Sequence, residues 1–137
     1  MRKASVVTWL RLARVFQKID HASAEHLRAW GLSVAQFDVL AHVGTTEGLT
    51  QQELADSLLV TKGNICQLLD RLEHSGLIER RQERRTKRLF LTQAGQKLFD
   101  DVVPAQERMI ASLFSTLAPE EERALLAALR RLDHTLQ

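Results

Sequence analysis

A dense run of basic residues, RRQERRTKR, occupies positions 80–88. Six of these nine residues are Lys or Arg and one is Glu, a local balance of +5 in a chain whose formal net charge is +2. The rest of the chain is therefore slightly acidic, and the positive charge is a local feature. Grouped cations neutralise phosphates, which makes a nucleic-acid backbone one target. On charge alone, a solvated hairpin whose charges protect an edge strand explains the run equally well.

A set of polar residues recurs at helical spacing just before the basic run. In the helix predicted after Thr61, the polar face carries Gly63, Gln67 and His74, flanked by Asn64 and Arg71, and the opposite face carries Ile65, Leu69 and Leu72. Asn and Gln pair with adenine edges and Arg with guanine, while a glycine lets the backbone approach a duplex. Free N–H groups near Thr61 and Lys62 can hold a phosphate. The pattern predicts that this helix reads DNA.

Periodicity and capping signals place the helices that carry these residues. A long first helix is predicted from Val6 to about Ala29, broken at Trp30-Gly31-Leu32, and a second helix is predicted after Ser33. Thr50 and Glu53 have the spacing of a capping box, which predicts a short helix over residues 51–59. The next helix starts after Thr61 and ends at Ser75-Gly76.

The second half of the chain predicts a hairpin and two more helices. Strand-like runs cover residues 77–82 and 87–91, with Leu89 and Leu91 on one face. A long helix starts at Gln93, with a kink or break predicted at Pro104. The last helix opens at Pro119, followed by three glutamates where a helix N-terminus favours negative charge.

Composition sets the class of protein. At 137 residues, rich in Leu, without Tyr and with few Gly and Pro, the chain fits one mainly helical domain. A single cysteine, Cys66, cannot form an internal disulfide, which favours a reducing compartment, and we expect a cytoplasmic protein. No apolar run approaches the ~18 residues of a membrane span, so no membrane association is expected.

In order, these elements form a helix, a short turn, a helix and a basic hairpin, which is the order of a winged helix-turn-helix. The stretch LTQQELADSLLVTKGNICQLLDRLEHSGLIERR, residues 49–81, resembles the helix-turn-helix of the MarR family of bacterial transcription regulators. Residues 84–95, RRTKRLFLTQAG, resemble the far side of that family's wing and the entry to its next helix. Residues 32–43, LSVAQFDVLAHV, resemble its second helix.

The resemblance implies a mainly α fold with a small β-hairpin wing and a single MarR-like domain over residues 1–137. Residues 33–92 would form the winged helix-turn-helix lobe, and residues 1–32 and 93–137 the helices of a homodimer. A two-fold dimer presents two recognition helices about one DNA turn, ~34 Å, apart, which suits a pseudo-palindromic double-stranded operator. The implied function is a sequence-specific DNA-binding transcriptional regulator, a repressor released by a small-molecule or stress signal.

The wing departs from the family pattern. The family usually has a longer loop containing Asp-x-Arg, whose Arg reaches into the minor groove, whereas this chain has Glu83-Arg84-Arg85. The resemblance carries the minor-groove role to Arg85. A shorter wing favours grip on phosphates, with Arg84, Lys87 and Arg88 as backbone contacts.

Other candidate sites carry weaker signals. The resemblance suggests a small aromatic or phenolic effector, for which Trp9, Arg14, Trp30 and Phe37 have suitable chemistry, although core or dimer contacts explain them better. A redox role for Cys66 on the same scaffold is an alternative. The five histidines lack metal-ligand spacing, and no catalytic motif is present, so we expect no metal, cofactor or enzymatic activity. The rival from another class is a winged-helix module that binds an acidic protein partner.

Overall fold

The computed structural model describes residues 3–58 and 62–136, and only the backbone conformation of residues 62 and 63. Within these ranges six α-helices, one 3₁₀ helix and three short strands follow one another. They are α1 (Ala4–Leu27), a 3₁₀ helix (Arg28–Trp30), α2 (Val34–Thr45), β1 (Leu49–Thr50), α3 (Gln51–Ser57), α4 (Lys62–His74), β2 (Ile78–Glu83), β3 (Thr86–Leu91), α5 (Gln93–Leu113) and α6 (Pro119–Thr135). The predicted mainly α fold with a small wing is confirmed.

Two helix starts are set by local side chains, as predicted. Ser33 Oγ accepts a hydrogen bond from Gln36 N at 3.1 Å, and Gln36 Oε1 accepts one from Ser33 N at 2.9 Å. The same reciprocal pair joins Thr50 and Glu53 at 3.0 and 2.9 Å. Each pair satisfies two backbone N–H groups that have no partner inside the helix, and so fixes where α2 and α3 begin. The predicted cap Thr61 lies outside the described residues.

The three strands form one antiparallel sheet in the order β1-β3-β2. Glu83 pairs with Thr86, so the hairpin closes through the two residues Arg84 and Arg85. Leu49 pairs with Leu89, which ties the short β1 to the base of the hairpin. This third strand was not predicted from the sequence.

The apolar side chains form two buried clusters. The first joins α2, α3, α4 and the sheet, and it consists of Val39, Val43, Leu49, Leu54, Ile65, Leu69, Leu72, Ile78 and Leu89. The second joins the end of α1 to α2 and α5, and it consists of Leu27, Leu32, Leu40 and Val102. The first cluster fixes the positions of α4 and the hairpin relative to each other, because both contribute side chains to it.

A close backbone approach joins the hairpin to α5. Thr92 follows β3, and its Oγ1 accepts a hydrogen bond from Gly95 N at 3.0 Å, while its own N donates to Leu77 O at 3.1 Å. A Cβ at Gly95 would collide with the carbonyl oxygen of Leu77. The joint therefore requires glycine at this position.

Of the kink or break predicted at Pro104, the break does not occur, because α5 continues from Gln93 to Leu113 with Pro104 inside it. Proline removes the hydrogen bond to the carbonyl four residues earlier, that of Asp100. Asp100 and Pro104 are both exposed, so water can satisfy that carbonyl. No helix in the described ranges is both long enough and apolar enough to span a bilayer.

Helices α1 and α6 leave large apolar side chains in solvent. They are Val6, Val7, Trp9, Leu10, Val15 and Phe16 on α1, and Leu125, Leu126, Leu129 and Leu132 on α6. None of the described side chains of α6 is buried. Outside a partner, the two helices would present an apolar surface well beyond scattered single residues.

Candidate nucleic-acid interface

The outer face of α4 is polar and exposed. Asn64, Gln67, Arg71 and His74 are exposed, while Ile65, Leu69 and Leu72 on the opposite face are almost fully buried. Asn64, Gln67 and Arg71 line one shallow cleft with Ala35 and Leu68, of about 150 Å³, beside the start of α2. The structure thus brings three of the predicted base-reading residues together. Lys62 and Gly63 lie in the first turn of the same helix.

The tip of the hairpin carries three outward cations. Arg84, Arg85 and Lys87 are exposed, and no carboxylate in residues 3–58 or 62–136 pairs with them. Arg84 has φ 58°, in the left-handed region, and the amide of Gln82 donates to its carbonyl oxygen at 2.9 Å. A positive φ at the first turn residue is what a two-residue hairpin requires, and it is usually supplied by Gly, Asn or Asp. An arginine here therefore adopts a backbone conformation that it rarely takes, while its side chain places a cation at the tip of the hairpin.

The other three cations of the basic run are bound by other residues of the same chain. Arg88 donates from Nη1 to Gly48 O at 3.0 Å and pairs from Nε with Glu83 Oε2 at 2.9 Å. Its guanidinium therefore links the tip of the hairpin, at Glu83, to the residue that precedes β1. If Arg88 also contacts a phosphate, as predicted, the same guanidinium must keep its contacts with Gly48 and Glu83.

Arg80 and Arg81 are neighbours on β2 but bind different partners: Arg81 contacts residues of the sheet, and Arg80 contacts α4. Arg81 pairs with Glu79, and its guanidinium carbon lies 4.1 Å from the centre of the Phe90 ring, a cation–π arrangement. Arg80 turns toward α4 and pairs with Asp70 and Glu73. The run that has six cations in the sequence therefore presents three at the tip of the hairpin.

A polar groove separates the start of α3 from the hairpin. It has a volume of about 580 Å³ and is lined by Thr50, Gln51, Gln52, Gln82, Arg85, Thr86 and Lys87. Two cations, three amides and two hydroxyls line it, and no acid does. Such a lining suits a phosphate-bearing strand, because every lining side chain offers a donor.

Sequence reasoning missed the glutamines of this groove. Gln51 and Gln52 are the first residues of α3 after its cap, and Gln82 pairs in register with Lys87 across the hairpin. The sequence signals available for these residues were the capping box that starts α3 and the alternation of side chains along the hairpin strands. They fix these positions locally, but the groove exists only because the hairpin folds back over α3.

Glu53, which closes the capping box of α3, stands close to the groove. Hydrogen bonds from Thr50, first from its backbone and then from its side chain, lower the pKa of Glu53 below its usual value, and the charge of Arg88 acts in the same direction. The carboxylate is therefore ionised at neutral pH, and Arg88 offsets a negative charge that would otherwise oppose an anionic ligand.

Comparison with known proteins decides the family. The MarR family model matches residues 30–89. An uncharacterised HTH-type transcriptional regulator of Bacillus cereus is 39% identical over 126 residues, which cover 92% of this chain and 86% of the relative. The chain belongs to the MarR family. It is a DNA-binding transcriptional regulator, and proteins of this family are not enzymes.

Solved structures agree with this MarR-family assignment. AbsC of Streptomyces coelicolor, a MarR family transcriptional regulator, superposes with a TM-score of 0.90 at 22% identity, over 99% of this chain and 96% of AbsC. S. aureus MepR in its DNA-binding conformation superposes with a TM-score of 0.81 at 26% identity, over 96% and 98% of the two chains. The winged helix-turn-helix architecture is thereby confirmed.

The four predicted effector residues of this MarR-family chain are not brought together within one subunit. Trp9 and Arg14 are exposed on α1, whereas Trp30 and Phe37 pack against the second buried cluster. Eighteen helical residues separate Trp9 from the end of α1 at Leu27, a rise of about 27 Å. One small ligand cannot contact both ends of α1 in the same subunit.

An apolar cavity of about 450 Å³ lies between α1, the end of α5 and α6. Its lining residues are Val15, Lys18, Ile19, Leu113, Phe114, Thr116, Leu117 and Leu125. It sits where α1 meets the α5–α6 corner, among side chains that the sequence assigned to a dimer. Sequence periodicity gave no signal for it, because the corner is formed by residues from three helices.

Cys66 and the histidines complete the set of predicted candidates. Cys66 is exposed on the flank of α4, where the amide of Gln51 lies 3.6 Å from its Sγ. His42 Nδ1 lies 2.7 Å from Asp38 O. In the described part of the chain no group of three His, Cys, Asp or Glu side chains is arranged to hold a metal ion. The redox role of Cys66 remains a prediction.

Proposed function

We propose that this MarR-family regulator is a homodimeric repressor that binds a pseudo-palindromic operator and is released by a signal. The observation that carries the proposal is the placement of two features on one lobe. The exposed polar face of α4 and the three outward cations of the hairpin tip share the same buried core, with the polar groove beside them. The lobe therefore offers a reading helix and a phosphate-binding surface in one rigid unit.

Each surface takes a separate part of the duplex. Asn64, Gln67 and Arg71 project from α4 and read base edges in the major groove, with Thr61, Lys62 and Gly63 contributing contacts to the DNA backbone. Arg85 reaches toward the minor groove, and Arg84 and Lys87 hold phosphates. The groove between α3 and the hairpin binds the DNA backbone that runs from the major groove contacted by α4 to the minor groove contacted by the hairpin tip. S. aureus MepR, a similar protein, has been solved in complex with DNA.

The homodimer rests on the exposed apolar faces of α1 and α6. A helix with four exposed leucines and no described side chain buried is stable in water only if another surface covers it. In this proposal residues 1–32 and 93–137 pair with their counterparts, and residues 33–92 form the DNA lobe of each subunit. Pairing two lobes places two copies of α4 about one DNA turn apart.

Repression follows from the position of such a dimer on promoter DNA, since a bound dimer excludes other proteins from the grooves it occupies. A small aromatic or phenolic effector then shifts the protein to a state in which the two lobes no longer match the operator spacing. Such a ligand acts only through a difference in its affinity for the two states.

Fluorescence anisotropy with duplexes from the gene's own upstream region tests DNA binding. We expect tight binding that weakens steeply with salt, and Arg84→Ala with Lys87→Ala should lower the salt slope by about 2 because two phosphate contacts are lost. Gln67→Ala should instead change the preference among operator variants. Binding of an acidic protein partner, with no retention of any duplex at low salt, would replace this proposal by the protein-interaction module.

A further inference from the structure

Two carboxylates stand on the flank of the proposed recognition helix. Asp70 and Glu73 are three residues apart on α4, and both side chains are exposed, by 65% and 40%. At 100° per residue, Asp70 lies about 60° around the helix from Gln67, next to the face that reads bases. Two negative charges at this place oppose the approach of DNA phosphates.

Arg80 on β2 binds both carboxylates at once. Its Nη2 lies 2.6 Å from Asp70 Oδ1 and 2.7 Å from Glu73 Oε1. Its Nε also donates to Glu73 Oε1, and its backbone N donates to Glu73 Oε2, both at 3.3 Å. The Arg80 side chain is only 18% exposed, so this residue of the basic run is directed at the protein rather than at DNA.

The ion pair between Arg80 and Glu73 stabilises the charged form of both side chains. The hydrogen bond from Arg80 is the largest influence on Glu73 and lowers the pKa of that carboxyl, and the same hydrogen bond raises the pKa of the Arg80 guanidinium. One cation and two anions give the cluster a net charge of −1. Without Arg80 the net charge would be −2, with Asp70 next to the reading face and Glu73 about 120° around the helix from Gln67.

We propose that Arg80 is a positioning residue for DNA binding, which holds α4 against β2 and cancels part of the negative charge that Asp70 and Glu73 present to the duplex. The inference rests on the proposed DNA-binding function of α4. It assigns Arg80 a role inside the protein, although Arg80 opens the run whose tip contacts phosphates.

Electrostatics makes the effect measurable. At about 10 Å and in a water-like dielectric, one unit charge changes a binding equilibrium with one phosphate by about twofold. Several phosphates lie within such a distance of a helix in the major groove, and screening reduces each contribution at physiological salt. We therefore expect a five- to twenty-fold effect on the dissociation constant at low salt.

The charge role and a purely structural role predict opposite results for one variant. Removing the two acids with D70N/E73Q breaks the same ion pairs as R80Q but leaves a net charge of +1 instead of −2. If only the tie between β2 and α4 matters, both variants weaken DNA binding. If the charge matters, D70N/E73Q strengthens binding and R80Q weakens it.

The experiment compares the native chain with R80Q, R80K, D70N/E73Q and the triple variant D70N/E73Q/R80Q, by anisotropy on one duplex at several salt concentrations. The expected order of affinity is D70N/E73Q, then the triple variant, then the native chain, then R80Q. R80K, which keeps the charge, should bind within about threefold of the native chain. Differences should shrink as salt rises, and far-UV circular dichroism should show that every variant is folded.

Arg28→Gln provides the matched control. Arg28 belongs to an exposed ion pair with Glu25 next to α1, so its loss removes one cation outside the DNA lobe. The role of Arg80 would be overturned if D70N/E73Q bound DNA more weakly than the native chain, or if Arg28→Gln and R80Q lost equal amounts of DNA affinity. Either result would leave the proposed function in place. Failure of the native chain to bind any duplex would overturn both. If R80Q does not fold, R80K and D70N/E73Q still decide between the two roles.

Discussion

Single arginines of the basic run differ in their partners, and the differences set their expected roles. Arg80 and Arg88 bind acids and a carbonyl inside the lobe, while Arg84 and Arg85 form the turn and point into solvent. The sequence predicted a basic hairpin directed at phosphates. It did not predict which cations the protein itself engages, because the partners Asp70, Glu73 and Gly48 lie between 7 and 40 residues away in the chain.

Arg84→Gly should stabilise the protein and weaken DNA binding. Glycine relieves the left-handed conformation at φ 58°, worth about 1 kcal/mol, but it removes one outward cation. Urea unfolding measures the first effect, and anisotropy in a salt series measures the second. Arg85→Gly is the matched control, since it loses the same charge at a residue with an ordinary φ and should not gain stability. Equal stability changes for the two variants would contradict the turn assignment.

Asp38→Asn should stabilise the protein at neutral pH. Partial burial, the largest influence, raises the pKa of Asp38 above 3.8; nearby Asp20 adds to this rise and His42 opposes it. A raised pKa in the folded state means that folding favours the protonated form. This contribution is complete below pH 3.8 and is lost as pH rises through the folded-state pKa.

The gain from Asp38→Asn should therefore be present at pH 7 and should disappear below about pH 3.8, where the native side chain is itself neutral. Urea unfolding at both pH values tests this expectation. Asp56→Asn on the exposed side of α3 serves as the control. Destabilisation by Asp38→Asn at pH 7 would show that the attraction of His42 outweighs burial.

At the scale of elements, local signals were sufficient for helices and insufficient for the sheet. The capping boxes at Ser33 and Thr50 place helix starts through hydrogen bonds over three residues; the sequence predicted the cap at Ser33 and the full capping box at Thr50. Strand β1 has only two residues and is a strand only because Leu49 and Thr50 pair with Leu89 and Arg88, some 40 residues away. A pattern of alternation cannot appear in two residues, so this strand and the groove it helps to form were beyond sequence reasoning.

Gly95→Ala should destabilise the joint between the hairpin and α5. The new methyl group would meet the backbone carbonyl of Leu77, which cannot rotate away as a side chain could, and we expect a loss of about 2–3 kcal/mol. Denaturant unfolding measures it. Gln93→Ala, on an exposed position of the same helix turn, should change stability by less than about 0.5 kcal/mol. A neutral effect of Gly95→Ala would mean that the two backbones can separate.

At the scale of the whole molecule, the exposed leucines of α6 predict an obligatory partner. Leu129→Glu with Leu132→Glu should abolish pairing, because carboxylates cannot be buried unpaired in an apolar interface. Sedimentation velocity should then give the 15.6 kDa mass of a single chain instead of twice that mass. DNA affinity should fall by at least a hundredfold, since one lobe reaches only one half-site.

The control for this interface is Glu122→Gln with Arg123→Gln on the exposed start of α6, which keeps the leucines and should keep the dimer. A native chain that sediments as a single subunit at micromolar concentration would refute the dimer. A homodimer that does not bind any duplex would confirm the dimer but contradict its proposed role in operator binding.

The two-residue turn at Arg84 and Arg85 also fixes the distance between the tip of the hairpin and α4. A long flexible loop could stretch to follow a displaced contact, but a two-residue turn next to a strand that Arg88 ties to Gly48 cannot extend in this way. The distance along the duplex between the bases touched by α4 and the backbone touched by the tip is therefore set by the protein. An operator lengthened by one base pair between those two points should lose one contact or the other, whereas its flanking sequence beyond the tip should be free to vary.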